Sequence, residues 1–121
     1  MMLVMVYHII QITYTNNLDW GNSEAQWYTN AEVKNAYVSD GTLKIKAIKE
    51  KYESKEWTSA RIVTRNNKEF RYGYFEFRAK LPETPGFWPA IWMLRHDIYD
   101  ENGTPWPTGG EIDIIDTSSN I

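Results

Sequence analysis

The chain has 121 residues, a formal net charge of −3 and no cysteine. An acidic balance argues against a nucleic-acid partner, since phosphate binding calls for a basic surface. The lack of cysteine excludes a disulfide framework and a thiolate metal site, but not export. The outlying feature is aromatic content, with six Trp and eight Tyr. Such side chains stack well on ring-shaped ligands, although packing a β-rich core is expected to take up part of them.

The first segment, "MMLVMVYHIIQITY", is apolar but too short to span a bilayer. It has no basic leading region and no small-residue cleavage site, so it makes a poor signal peptide. Alternation of Val4, Val6 and Ile9 or Ile10 with other residues fits a first strand, and a degenerate leader is the alternative for residues 1–19. His8 has no ligand partner nearby in sequence and reads as a strand residue. In "AYVSDGTLKIKAIKE" the Asp40–Gly41 pair between two alternating runs predicts a hairpin. Leu43, Ile45 and Ala47 share one face of its second arm, and Lys44 and Lys46 the other, read as solvated. Two further strands are predicted in "EWTSARIVTR" and in "FRYGYFEFRAKLP". In the latter, Phe75, Phe77, Ala79 and Leu81 share a face, with Tyr74, Glu76, Arg78 and Lys80 opposite them. "GFWPAIWML" predicts a strand buried on both sides, and "RHDIYDENGTPWPTGG" a loop. Asn102-Gly103-Thr104 in that loop is a glycosylation sequon, a weak three-residue pattern. Many short strands with no helical periodicity predict an all-β sandwich or jelly roll.

The last segment, "TGGEIDIIDTSSN", sets Glu111, Asp113 and Asp116 among isoleucines. Residues i and i+2 of a strand face the same way, so Glu111 and Asp113 share a side. Asp116 falls on the opposite side unless one extra residue resets the parity, which a β-bulge around Ile114–Ile115 would do. Like charges in a row repel and cannot build a core, so a solvated acidic edge or a cation site is one reading. Calcium prefers more oxygen ligands and loop geometry. Glycoside chemistry is the other reading: a retaining glycosidase needs two carboxyl groups about 5–5.5 Å apart, one as nucleophile and one as proton donor.

"GEIDIID" closely resembles the signature strand of glycoside hydrolase family 16, which includes laminarinases and lichenases. "WGNSEAQWYTN", "GTLKIKAIKE", "WTSARIVTR", "FRYGYFEFRAKLP" and "GFWPAIWML" resemble further blocks of that family in order and spacing. The resemblance implies a β-jelly roll of two curved antiparallel sheets (a concanavalin A-like glucanase fold) whose concave face forms the glycan cleft. It implies Glu111 as nucleophile, Asp113 as assisting carboxylate and Asp116 in the acid/base position, where the family has Glu. It also implies Trp92 and Trp106 as aromatics that stack sugars, and Asn22 and Arg61 as partners of sugar hydroxyls. Trp88 is placed between core and glycan contact, and Trp20, Trp27, Trp57, Tyr28 and Tyr72 between core and cleft. Arg61 pairing with a buried acid is the alternative to its glycan contact.

The implied activity is retaining hydrolysis of internal bonds in a β-glucan, β-1,3-linked glucan foremost, by a secreted or cell-surface enzyme. Galactan-active members carry similar bulged strands. No cofactor or metal is required, and structural calcium is not legible in the sequence. The implied partner is the polysaccharide, with neither nucleic acid nor membrane. Two departures matter. Asp116 is one methylene shorter than Glu, a displacement of about 1 Å that can cost on the order of 100-fold in rate; a non-catalytic β-glucan-binding module is therefore the competing function. Residues 1–121 are also expected to be the N-terminal part of one domain, because the family's signature strand lies near mid-domain and its usual Asp-Glu-Phe opening is not visible before Trp20. Such a part is expected to be unstable and inactive alone, and to self-associate through open sheet edges.

Overall fold

The computed structural model describes the backbone of residues 2–3 and 13–14, and residues 23–29, 34–98 and 100–117 in full. Every regular element among the described residues is a β-strand. The chain divides into two compact units, Val6–Val63 and Thr64–Ile121, the latter with Met1–Met5.

Strand β1, Met2–Leu3, belongs to the second unit, and β2, Thr13–Tyr14, to the first. The expected strand residues Val4, Val6, Ile9 and Ile10, with His8, lie outside the described residues. In the first unit, β4 (Ala36–Ser39) and β5 (Thr42–Ile45) form the predicted hairpin, in register from Ala36 opposite Ile45 to Ser39 opposite Thr42. Asp40 and Gly41 take φ of 49° and 68°. Two consecutive left-handed residues make the turn whose twist matches that of the flanking strands.

The second arm is shorter than its alternation predicts. It ends at Ile45, and the chain restarts as β6, Ile48–Tyr52. The hydrogen bonding runs one pair further, since the Lys46 amide donates to the Asn35 carbonyl at 2.8 Å in the register that sets Ala36 opposite Ile45. Lys44 is half-buried rather than fully solvated, and its ammonium donates to the Ser39 carbonyl.

Strand β6 turns at Glu53 into β7, Lys55–Ser59, and pairs with it antiparallel. On the other side of β7 lies β3, Gln26–Tyr28, running parallel. This parallel pair departs from the wholly antiparallel sheets expected. A short β8, Ile62–Val63, pairs antiparallel with β2. The predicted strand 56–65 is thus split at Ala60–Arg61.

The unit is tied together by a polar centre. Asn35 is fully buried: Oδ1 accepts from Thr29 Oγ1 at 2.8 Å, while Nδ2 donates to the Lys46 carbonyl and Thr58 Oγ1, both at 3.1 Å. Thr58, also fully buried, donates its hydroxyl to Glu50, whose carboxylate is 2.8 Å from Lys34. Every polar atom of the Asn35 side chain is satisfied, as burial in a low-dielectric interior requires. The small apolar cluster of the unit, Ala36, Ala60 and Ile62 with Leu43 against it, is aliphatic.

In the second unit β9, Ala90–Leu94, is the central strand, with β1 on one side and β10, Glu111–Asp116, on the other. Ile91, Met93 and Leu94 are buried while Ala90 and Trp92 are half-buried, so the strand is not buried equally on both faces. The predicted strand over 70–82 is not formed among the described residues: Arg71 and Tyr72 make a bend, and no residue of the segment joins a ladder. Alternation survives only in part, with Phe75, Phe77 and Leu81 half-buried and Ala79 exposed. Phe70 packs edge-on against Phe75 at 5.2 Å. Side-chain periodicity sets which face is apolar, but strand formation also needs a second backbone to bond with.

None of the five described tryptophans is fully buried. Among the described residues the fully buried apolar side chains are aliphatic, and the aromatics expected to fill part of the core are at most half-buried. Trp is bulky enough that some of it usually stays in contact with solvent. Trp27 and Trp57 are half-buried, Tyr52 lies 6.0 Å from Trp27, and Tyr72 is exposed.

Candidate active site

The site is built on the β9–β10 ladder. Glu111 stands opposite Leu94, Ile112 opposite Met93 and Asp113 opposite Trp92. The register then skips Ile114, so that Ile115 stands opposite Ile91 and Asp116 opposite Ala90. Leu94, Trp92 and Ala90 are alternate residues of β9 and share one face of the sheet. Their partners Glu111, Asp113 and Asp116 therefore share that face as well. The bulge falls where parity demands it, and all three acids are exposed. On the other face Ile115 stands opposite buried Ile91, and Ile112, itself 50% exposed, opposite buried Met93.

Two of the expected aromatics join this face. Trp92, directly across from Asp113, is half-buried. Trp88 is 51% exposed, which removes it from the core, and its indole Nε1 donates to Asp116 Oδ1. Before folding, only the position of Trp88 two residues ahead of β9 hints at that contact. Trp106 sits 64% exposed in the loop of residues 95–110 that leads into Glu111.

That loop is shaped by its own turns. The Asp100 and Gly103 amides donate to the carbonyls of Asp97 and Asp100, and those of Gly109 and Gly110 to Pro105 and Pro107. A Cβ on Gly103 would lie 1.6 Å from the Asp97 carbonyl oxygen, so the loop closes there only with glycine. Arg95 grips Asp97 through two hydrogen bonds, Nε to Oδ1 at 2.8 Å and Nη2 to Oδ2 at 2.7 Å. This guanidinium holds the Asp97 carboxyl down to about 2. Arg65 makes a second tie, to Asp100 at 3.0 Å.

The other expected site residues lie elsewhere. Asn22 is outside the described residues. Arg61 belongs to the first unit, half-buried, with its guanidinium 5.6 Å from the centre of the Tyr28 ring. Burial and the carboxylate of Glu24 push the Tyr28 hydroxyl well above its ordinary range. Gln26 bridges the two, donating to Glu24 at 2.9 Å and to the Tyr28 oxygen at 2.8 Å. Among the described residues no three His, Asp or Glu side chains converge as metal ligands, and no helix is long and apolar enough to cross a membrane.

Comparison with known proteins supplies the frame for this geometry. Residues 12–121 match the family model described as "XgeA-like, catalytic GH16 domain". A "Beta-glucanase" of Rhodothermus marinus is 52% identical over 97 residues, covering 80% of this chain and 34% of that protein. A "Glucan endo-1,3-beta-glucosidase A1" of Niallia circulans is 40% identical over 110 residues, covering 84% of this chain and 15% of the relative. The solved structure of the laminarinase from Rhodothermus marinus matches with a TM-score of 0.77 at 46% identity, over 89% of this chain and 42% of that one. The present chain thus spans about a third, or less, of the length of these two relatives. The all-strand architecture is that of the laminarinase jelly roll. With the family model covering nearly all of the sequence, the chain belongs to glycoside hydrolase family 16.

Proposed function

We propose that the protein carrying this chain is an endo-acting β-glucanase that hydrolyses β-1,3-linked glucan with retention of configuration. One observation carries the reading: the Ile114 bulge sets Glu111, Asp113 and Asp116 on one exposed sheet face beside Trp92. In this reading the Glu111 carboxylate attacks the anomeric carbon, and Asp116 protonates the leaving glycosidic oxygen. Asp116 then takes a proton from the water that releases the glycosyl-enzyme. Asp113, between them, orients the nucleophile. Trp92 and Trp106 stack on sugar rings, and Asn22 and Arg61 bind hydroxyls. No cofactor enters the chemistry. Secretion or display at the cell surface fits a polymeric substrate that cannot enter a cell.

The relatives named for β-1,3-glucan support the substrate, and the shared face supports the roles. The test is reducing-sugar release from laminarin by the full-length protein and its Glu111→Gln variant. Removal of the nucleophile is expected to lower the rate by on the order of 1,000-fold or more. Equal rates would show that Glu111 is not the nucleophile. Asp116 in place of Glu supports a second reading, a β-glucan-binding module on the same fold; saturable laminarin binding with no sugar release would establish it. Self-association belongs to the same proposal. Strand β10 is the outer strand of its sheet among the described residues, and half of Ile112 lies open there. A strictly monomeric protein in light scattering would exclude it.

A further inference from the structure

We propose that Trp88 is a positioning residue that acts through Asp116, and not a face on which sugar stacks. The catalytic consequence rests on the hydrolytic reading above; the contact itself does not. Trp88 exposes half its surface, so packing does not account for where its ring lies. Its Nε1–H, a group that can only donate, meets Asp116 Oδ1. Both partners are fixed by backbone on either side. Pro89 follows Trp88 and restricts it to an extended conformation. The Pro89 carbonyl accepts from the Thr117 amide at 3.4 Å, and Ala90 stands opposite Asp116 in the ladder. Donor and acceptor are therefore held at the same end of the β9–β10 pair.

An aspartate has few torsions, so an anchor on one carboxyl oxygen sets the direction of the other. With Oδ1 engaged by the indole, Oδ2 is the oxygen that handles the proton. In the first step Glu111 bonds to the anomeric carbon as its bond to the glycosidic oxygen breaks, and the proton on Oδ2 passes to that oxygen. In the second, water bonds to the same carbon, the bond to Glu111 breaks, and Oδ2 takes up the proton that the water loses. The indole keeps its own proton throughout. Trp88 thus compensates in part for an acid one methylene short, by removing freedom that would otherwise misdirect it.

Trp88→Phe separates the two roles, because it keeps an aromatic face, though a smaller one, and removes the N–H altogether. In the full-length protein, kcat on laminarin is expected to fall on the order of 10- to 100-fold, with KM within about twofold of the parent. Independently, the Trp88 indole N–H resonance, assigned by its loss in Trp88→Phe, is expected to move upfield in Asp116→Ala. Parental kinetics in Trp88→Phe, or a raised KM with unchanged kcat, would overturn the proposal. So would an indole resonance indifferent to Asp116→Ala. A parent that releases no sugar would defeat the hydrolytic reading instead, and the resonance would still decide whether Trp88 holds Asp116.

Discussion

The two units place polar groups in opposite settings. Around Asn35 in the first, Thr29 and Thr58 close a buried network, tied at its edge to half-buried Glu50, in which the Asn35 amide meets a partner at every polar atom. Along β10 in the second, three carboxylates stand exposed on a single face, one of them held by an indole. The first arrangement trades hydration for protein hydrogen bonds and so builds architecture. The second leaves acids open to solvent at the surface, where a ligand can reach them. Burial and saturation, more than residue type, separate a polar group that holds a fold from one that is available for chemistry.

Paired variants bring out that contrast most strongly. Glu111→Gln, which is expected to stop sugar release, should shift unfolding free energy by no more than about 0.5 kcal/mol, as exposed substitutions do. Asn35→Ala should cost about 3 kcal/mol in urea denaturation, because it strands buried groups of Thr29, Thr58 and Lys46. A comparable stability loss for the two would erase the distinction. A smaller effect is expected at the acid position, where Asp116→Glu should raise kcat/KM on laminarin by on the order of 10- to 100-fold through restored reach. No gain would mean that the short side chain is not what limits the rate.

The smallest effect is on pH dependence. Lys34 and Thr58 hydrogen bonds hold the Glu50 carboxyl below its ordinary value, and Arg95 holds that of Asp97 down to about 2. Both folded values are depressed, so their contribution to stability is present above the ordinary carboxylate value. It is lost as the pH falls through the folded one. Stability measured by urea denaturation should therefore decline below the ordinary Glu value of 4.5, and for Asp97 between 3.8 and about 2. Glu50→Gln should flatten the upper part of that decline and Asp97→Asn the lower; unchanged profiles would show that these pairs do not act in the folded state.

Local chemistry made much of this legible in advance. Asp40–Gly41 announced a turn because both of its residues tolerate positive φ, and the hairpin formed in that register. Parity gave the place of the bulge in β10 on one condition, that all three acids share a face, and the register skips Ile114 there. The segment 70–82 shows where such reasoning stops: its alternation was right in part for burial and wrong for strand pairing. The bond from the Asn35 side chain to the Lys46 carbonyl was equally hidden, because it joins residues eleven positions apart.

The strand class, the hairpin and the place a bulge would take could be read from the chain, because periodicity and turn chemistry act over a few neighbouring residues. That β3 runs parallel to β7, that Asn35 anchors the first unit and that Trp88 reaches Asp116 across 28 positions came with the folded chain. Those outcomes depend on which distant backbones come together, and nothing in a local pattern fixes that choice.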